Sequence, residues 1–410
     1  MTPEDANDGR PRSEIDVVIV GGGPAGMVLA LLLVRRGLRV KVLERNPDFE
    51  REFRGEILQP RFWHAMAAAG LSEILQSLPH EDFNELRLFS SGQILGFIPV
   101  SSLDPVYPFV TWMTQPDMLR GLQSAASSNP EFALEFNANA TELLRENGSV
   151  CGVRYKNAQD QAVDLRSKVV VGCDGRFSKI RKLEGFELSH KTHQFDVIWF
   201  ETERPECYRH GADFFLGAEF NSIVLPKYPN KIQCGILIAP GSFKHYKEMG
   251  VDVLIEKLND LHAMFRCFSR DLVDFKSFTL LAGTVERVKE WAKDGLLLIG
   301  DAAHTCSPAG AIGVTIAVES AIIADQVLAN CFKNNDFSRE ALGEVQRRRE
   351  PEVIRVHNAQ ERIGFMVANR MVPGTLLEKL ASFILRSGIL PRILRGVLSR
   401  AETNPLLGRK

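Results

Sequence analysis

Residues 17–46, VVIVGGGPAGMVLALLLVRRGLRVKVLERN, leave this chain few folds to choose from. Val17 to Val20 is a short β-branched run suited to a strand buried on both faces of a parallel sheet. Gly21, Gly23 and Gly26 follow in GxGxxG spacing with Pro24 and Ala25 between them, then a small and apolar run, Met27 to Val34, of helical length. The first glycine permits a tight turn, the second lets backbone approach a pyrophosphate, and the third lets the helix pack against its strand. The N–H groups and dipole at that helix start form an anion site. Gly37 ends the helix, RVKVLE reads as a second strand, and Glu44 stands at its tip beside Arg45, where a carboxylate accepts hydrogen bonds from ribose hydroxyls. The unit predicts a dinucleotide clamp and leaves FAD and NAD both open.

A chain of 410 residues is long enough for two or three domains. Fifty basic against fifty-one acidic residues argue against a nucleic-acid partner. Seven cysteines, at 151, 173, 207, 234, 267, 306 and 331, form no CxxC pair and no metal-ligand spacing. They read as reduced thiols of a cytoplasmic protein without a metal site. The polar first fourteen residues lack the apolar core of a signal peptide. No uninterrupted apolar stretch reaches membrane-spanning length, residues 17–34 coming nearest, so the expectation is a soluble protein.

The pattern along the chain predicts an α/β fold in which a Rossmann-type domain is interleaved with a mostly antiparallel β-sheet domain and followed by C-terminal helices. Residues 14–79, 113–188 and 280–365 are assigned to the first, 80–112 and 189–279 to the second, and 366–410 to a C-terminal helical segment. A helix is predicted near TQPDMLRGLQSAA with Pro116 in its first turn, and another over roughly 251–268. The stretch 371–400 is apolar with interspersed basic residues, which suits helices docked on the nucleotide domain, a cover over a substrate channel, or a membrane-surface helix.

Two later segments discriminate between the nucleotides. VVVGCDGRFSKIRKL, residues 169–183, is a buried strand followed by Asp174-Gly175; LLLIGDAAHTCSPAGAIGVTIAVESA, residues 296–321, carries Asp301 and a small-residue loop that opens a long helix. With the GxGxxG unit ahead of them, this order and spacing resembles the class A FAD-dependent aromatic hydroxylase and monooxygenase family, the para-hydroxybenzoate hydroxylase-like proteins, over residues 14–330. The resemblance implies that Gly21, Gly23, Pro24, Ala25 and Gly26 face the FAD pyrophosphate, with Glu44 and Arg45 at the ribose. It implies that Arg54 in FRGEILQP reaches the same region, that Gln115 and Arg120 lie along the cofactor, and that Asp174 serves FAD and NAD(P)H contact. Asp301 would hold the ribityl chain, and Pro308 with the Gly310, Gly313 and Val314 backbone would bound the flavin ring. Thr315 departs from the asparagine or glycine often found there.

The implied activity is hydroxylation of an apolar aromatic or conjugated small molecule, with NAD(P)H as co-substrate and O2, through a flavin C4a-hydroperoxide. A flavoprotein reductase or halogenase, or an NAD-binding dehydrogenase or regulator, are the alternatives; the halogenase WxWxIP signature is absent. A monomer and a dimer fit equally. His304 reads as a structural histidine, Cys173 and Cys306 as buried fillers, and Trp112, Trp199, Phe214 and Phe215 as either pocket lining or sheet core. No catalytic side chain is assigned, since the cofactor carries this chemistry.

Overall fold

The computed structural model describes residues 15–50, 56–217, 219–269 and 272–368. Its first sheet has a parallel core in the order Leu296–Leu298, Ala162–Gly172, Ile15–Val20, Val40–Leu43, Phe132–Glu135. The valines of Ile15–Val20 are fully or almost fully buried, because helices cover both faces of a parallel sheet. Ser149–Lys156 and Asn139–Glu146 extend the Ala162–Gly172 strand as an antiparallel meander. The clamp helix Pro24–Arg35 is buried along nearly its whole length and packs between Gly313–Asn334 and Gln115–Ser127. Pro116 sits in the first turn of the latter, where its missing N–H costs nothing, and Thr114 caps that helix by accepting from Asp117 N.

The second sheet runs His304–Thr305, Thr279–Val288, Leu188–Glu203, Lys231–Ile238, Asn221–Lys227, Ala212–Leu216, Glu85–Ser90, Gln93–Pro99. Its described pairings are antiparallel except Ala212–Leu216 against Glu85–Ser90, which is parallel. Alternation along Ala212–Leu216 divides its two phenylalanines. Phe215 is buried and stacks on Phe89 with ring centroids 4.9 Å apart, whereas Phe214 points to the other face. A three-stranded sheet, Ile57–Leu58, Val110–Trp112 and Glu81–Phe83, closes one side. The predicted helix over 251–268 is shorter, Val251–Leu261, and ends in a 3-10 segment Ala263–Cys267.

Two expectations need correction. Cys207 and Cys267, 60 residues apart, form a disulfide, so these two are not reduced thiols; Cys173, Cys234, Cys306 and Cys331 are free and buried. Residues 17–34 are also not the nearest approach to a membrane-spanning stretch. Ala309–Asn334 is long and apolar enough by composition, and 78% of its most apolar window is buried inside the protein, as a core helix requires. The segment 371–400 lies outside the described residues.

Candidate active site

The glycine turn is shaped by backbone crowding. Gly21 has φ 111°, and a Cβ there would stand 2.4 Å from the Cys173 carbonyl oxygen. A Cβ on Gly26 would stand 2.0 Å from the Gly21 carbonyl oxygen, so strand and helix meet at a distance only glycine allows. No side chain caps the start of Pro24–Arg35. Glu44 is buried and braces the turn: its Oε2 accepts from Gly22 N at 2.8 Å, and its Oε1 accepts from Asn46 N and Nδ2 at 3.0 and 2.8 Å.

One cavity of about 1080 Å³ begins at this turn and runs under the second sheet. Gly21, Gly23, Pro24, Ala25, Glu44, Arg45, Gln115, Asp174, Asp301, Pro308, Gly310, Gly313 and Val314 all line it. Gly26 lies behind the turn rather than on the cavity wall. Arg120 lies off it too, half exposed and ion-paired with Glu50 and Asp117. Arg54 lies outside the described residues.

Asp174 is committed locally. It accepts from Ser178 Oγ and from the backbone N–H groups of Lys179 and Ile180, starting the short helix Lys179–Leu183; burial raises its pKa against the lowering effect of these donors. Arg176, which the sequence reading passed over, spans the two sheets. Its Nε donates to Asp301 Oδ2 at 3.4 Å and its guanidinium to the Ala282 carbonyl at 2.9 Å. The loop from Pro308 leads into Gly313–Asn334, whose start also has no side-chain cap. Two uncapped helix N-termini therefore reach one cavity, the arrangement a diphosphate and an anionic ring would each find favourable. Thr315 is fully buried with its hydroxyl unpartnered. His304 is buried behind the loop, shares a 2.9 Å hydrogen bond with Ser320 Oγ, and is held neutral by burial. Burial likewise pushes the Cys173 thiol well up and the Cys306 thiol to about 12.

Under the second sheet the walls turn apolar. Phe83, Leu86, Val197, Trp199, Phe214 and Leu281 line this chamber; Trp112 and Phe215 belong to the surrounding core. Glu56 and Gln233 are among the polar residues of its lining. Burial pushes the Glu56 carboxyl up to about 7, with Glu201 and Asp117 adding to the rise and Lys227 and the Gln233 amide opposing it. The sequence offered one signal for each: a lone acid ahead of Ile57-Leu58, and a lone glutamine inside KIQCGILIA. A carboxyl with a raised folded pKa costs stability as pH climbs from its unfolded value of about 4.3 toward 7. The melting temperature of Glu56→Gln relative to the parent is therefore expected to rise between pH 5 and pH 8; a constant difference across that range would show that Glu56 titrates normally.

A family profile described as FAD binding domain matches residues 14–356. The chain belongs to this family. It is a FAD-dependent oxidoreductase of the monooxygenase type, for which NAD(P)H is the usual co-substrate. The flavoprotein is 31% identical over 405 residues, 96% of each chain, to 6-methylpretetramide 4-monooxygenase of Streptomyces rimosus. It is 28% identical over 345 residues, 81% of each, to a digeranylgeranylglycerophospholipid reductase of Methanocella arvoryzae. Its fold matches p-nitrophenol 4-monooxygenase PnpA from Pseudomonas putida with a TM-score of 0.78, covering 97% of this chain and 99% of that one at 18% identity.

Proposed function

We propose that this flavoprotein hydroxylates a multi-ring, largely apolar phenolic or conjugated molecule bound in the chamber lined by Phe83, Leu86, Val197, Trp199, Phe214 and Leu281. The observation that carries this reading is the continuity of a single cavity from the glycine turn, past Asp301 and the Pro308–Val314 loop, into apolar walls. A cavity of about 1080 Å³ exceeds the usual ~300–1,000 Å³ of one ligand site, which suits a cofactor and a substrate lying end to end. Similarity to an enzyme that acts on 6-methylpretetramide supports the same choice.

Bound FAD would supply the redox chemistry, drawing electrons from NAD(P)H and delivering oxygen from O2. The chain's own residues bind and orient. Of the glycine turn, Gly23 and Ala25 would offer backbone N–H groups to the pyrophosphate, since those of Gly21 and Gly22 are held by Leu43 and Glu44 and Pro24 has none, and Glu44 an acceptor to the adenosine ribose. Asp301 accepts from the ribityl hydroxyls, with Arg176 holding its carboxylate in place. The uncapped start of Gly313–Asn334 would place the positive end of its dipole where it can stabilise the negative charge that a bound flavin gains on reduction. Phe83, Trp199 and Phe214 exclude water and set the substrate ring against the flavin.

Purified protein is expected to be yellow, and an accepted substrate to stimulate NAD(P)H oxidation and gain an oxygen atom from O2. A colourless preparation that FAD cannot reconstitute would overturn the reading. The similarity to a lipid reductase favours a second one, reduction of an apolar polyene in the same chamber; product formation without O2 would select it. Asp301→Ala is expected to weaken FAD binding by about 1–3 kcal/mol, since ribityl donors lose their acceptor. Titration of the apoprotein with FAD measures this, and unchanged affinity would place the ribityl chain elsewhere.

A further inference from the structure

We propose that the Glu56 carboxyl and the Gln233 amide form a polar seat that receives a phenolic hydroxyl of the ring substrate. The inference rests on the chamber reading above and adds to it the group that orients the substrate.

Glu56 Oε2 and Gln233 Oε1 are both buried acceptors with no hydrogen-bond partner, although the two side chains bond one another. An unmet buried acceptor costs free energy, and two side by side on the wall of an apolar cavity call for a donor arriving with the ligand. The seat is rigid. The Glu56 carbonyl accepts from Met113 N at 2.9 Å, which fixes it beside the Ile57–Leu58 strand. Gln233 sits mid-strand in Lys231–Ile238, paired in register with Leu225 on one side and Glu201 on the other.

The charged groups around Glu56 are Lys227, Glu201 and Asp117, and Lys227 is engaged by Glu201. The carboxyl thus changes charge near neutrality. In its ionised form it accepts from a phenol; the O–H bond can then break, the proton passing to Glu56 and the electron pair staying on the phenolic oxygen, which enriches the ring for attack on an electrophilic oxygen. In its neutral form it becomes a donor, and an ether oxygen satisfies it as well as a hydroxyl does. Preference for phenol over ether should consequently grow as pH rises through about 7.

The probes are 1-naphthol and 1-methoxynaphthalene, added to FAD-loaded protein at pH 6 and pH 8, with binding read from perturbation of the flavin absorbance. At pH 8 naphthol is expected to bind about tenfold more tightly than its ether, the worth of a hydrogen bond to a charged group, and this advantage should shrink at pH 6. Glu56→Gln should lose the pH dependence and Glu56→Leu the preference itself, both remaining yellow. Equal affinities in the parent would overturn the seat as a whole, and a pH-dependent preference surviving in Glu56→Leu would overturn the role of Glu56 in it; both leave the chamber reading standing. If neither naphthalene perturbs the flavin, the chamber reading falls and this inference with it. The parent's own pH profile decides the question even where a variant folds poorly.

Discussion

Gly26→Ala is expected to yield protein that is nearly colourless and less stable by about 1–3 kcal/mol, the range for forcing an extra methyl into a packed site. The added carbon would stand 2.0 Å from the Gly21 carbonyl oxygen, a backbone atom that cannot rotate away. Relief requires the helix to withdraw from its strand, and the N–H groups at its start withdraw with it. An ångström of displacement at such a site is enough to cost orders of magnitude in function. Gly37→Ala is the matched control. It lies just beyond the same helix at the opposite end, carries a positive φ (79°) that Gly26 does not, and has nothing within 4 Å of its would-be Cβ. That variant should lose some stability and keep its colour. The flavin-to-protein absorbance ratio, followed by titration of apoprotein with FAD, compares the two; equal ratios would mean that the close approach of helix and strand does not position the cofactor.

Glu319→Gln is expected to lower stability by about 3–5 kcal/mol, the usual result of removing one partner from a buried ion cluster. Glu319 is fully buried. Arg61 donates to its two oxygens at 2.6 and 2.7 Å, and Arg349 to one of them at 2.8 Å. Burial alone would raise the Glu319 pKa, but Arg349 and Arg61 hold it below the normal value. The amide keeps the shape and drops the charge, leaving two buried guanidinium groups facing one another, with Arg61 still bonded to Glu352 at 2.7 Å. A fall of roughly 3–6 °C in Tm is the expected reading for a chain of 410 residues. Replacing Glu319, Arg61 and Arg349 together by leucine and methionine should recover most of the loss, because the desolvation cost disappears along with the charges. A triple variant as unstable as Glu319→Gln would show that the cluster acts by packing alone.

Elements specified by neighbours in sequence were legible before any coordinates. Val17–Val20, the glycine turn and the Pro24–Arg35 helix follow from local rules about β-branched runs, φ and capping, and Pro116 announced the start of its helix in the same way. The place of Glu44 beside the glycine turn was legible too, and its carboxylate is bonded there to Gly22 and Asn46. What escaped was long-range pairing. Glu56 and Gln233 acquire their character from each other across 177 positions (233 − 56). Arg61 finds Glu319 at a separation of 258. Cys207 and Cys267 come together only because the turn after Leu188–Glu203 meets the segment after Val251–Leu261. No periodicity or spacing encodes such meetings; they are set by how the sheets stack. Arg120 illustrates the reverse error, a polar residue one turn from Gln115 that the helix carries outward to Glu50.

The short strand His304–Thr305 pairs with Glu286 and Arg287 of the second sheet, and the Pro308–Val314 loop begins three residues later. The loop proposed to bound the flavin therefore follows directly on a strand held by main-chain bonds to the sheet that walls the proposed substrate chamber. The spacing between loop and sheet is thus set by the main chain, while the side chains of the lining place the acceptor within it. Such a division lets part of the lining drift: exchanges at positions such as Val197 or Leu281 can alter which molecule is accepted while the spacing of loop and sheet stays as it was. A library confined to those wall positions would explore new acceptors without detuning the reaction.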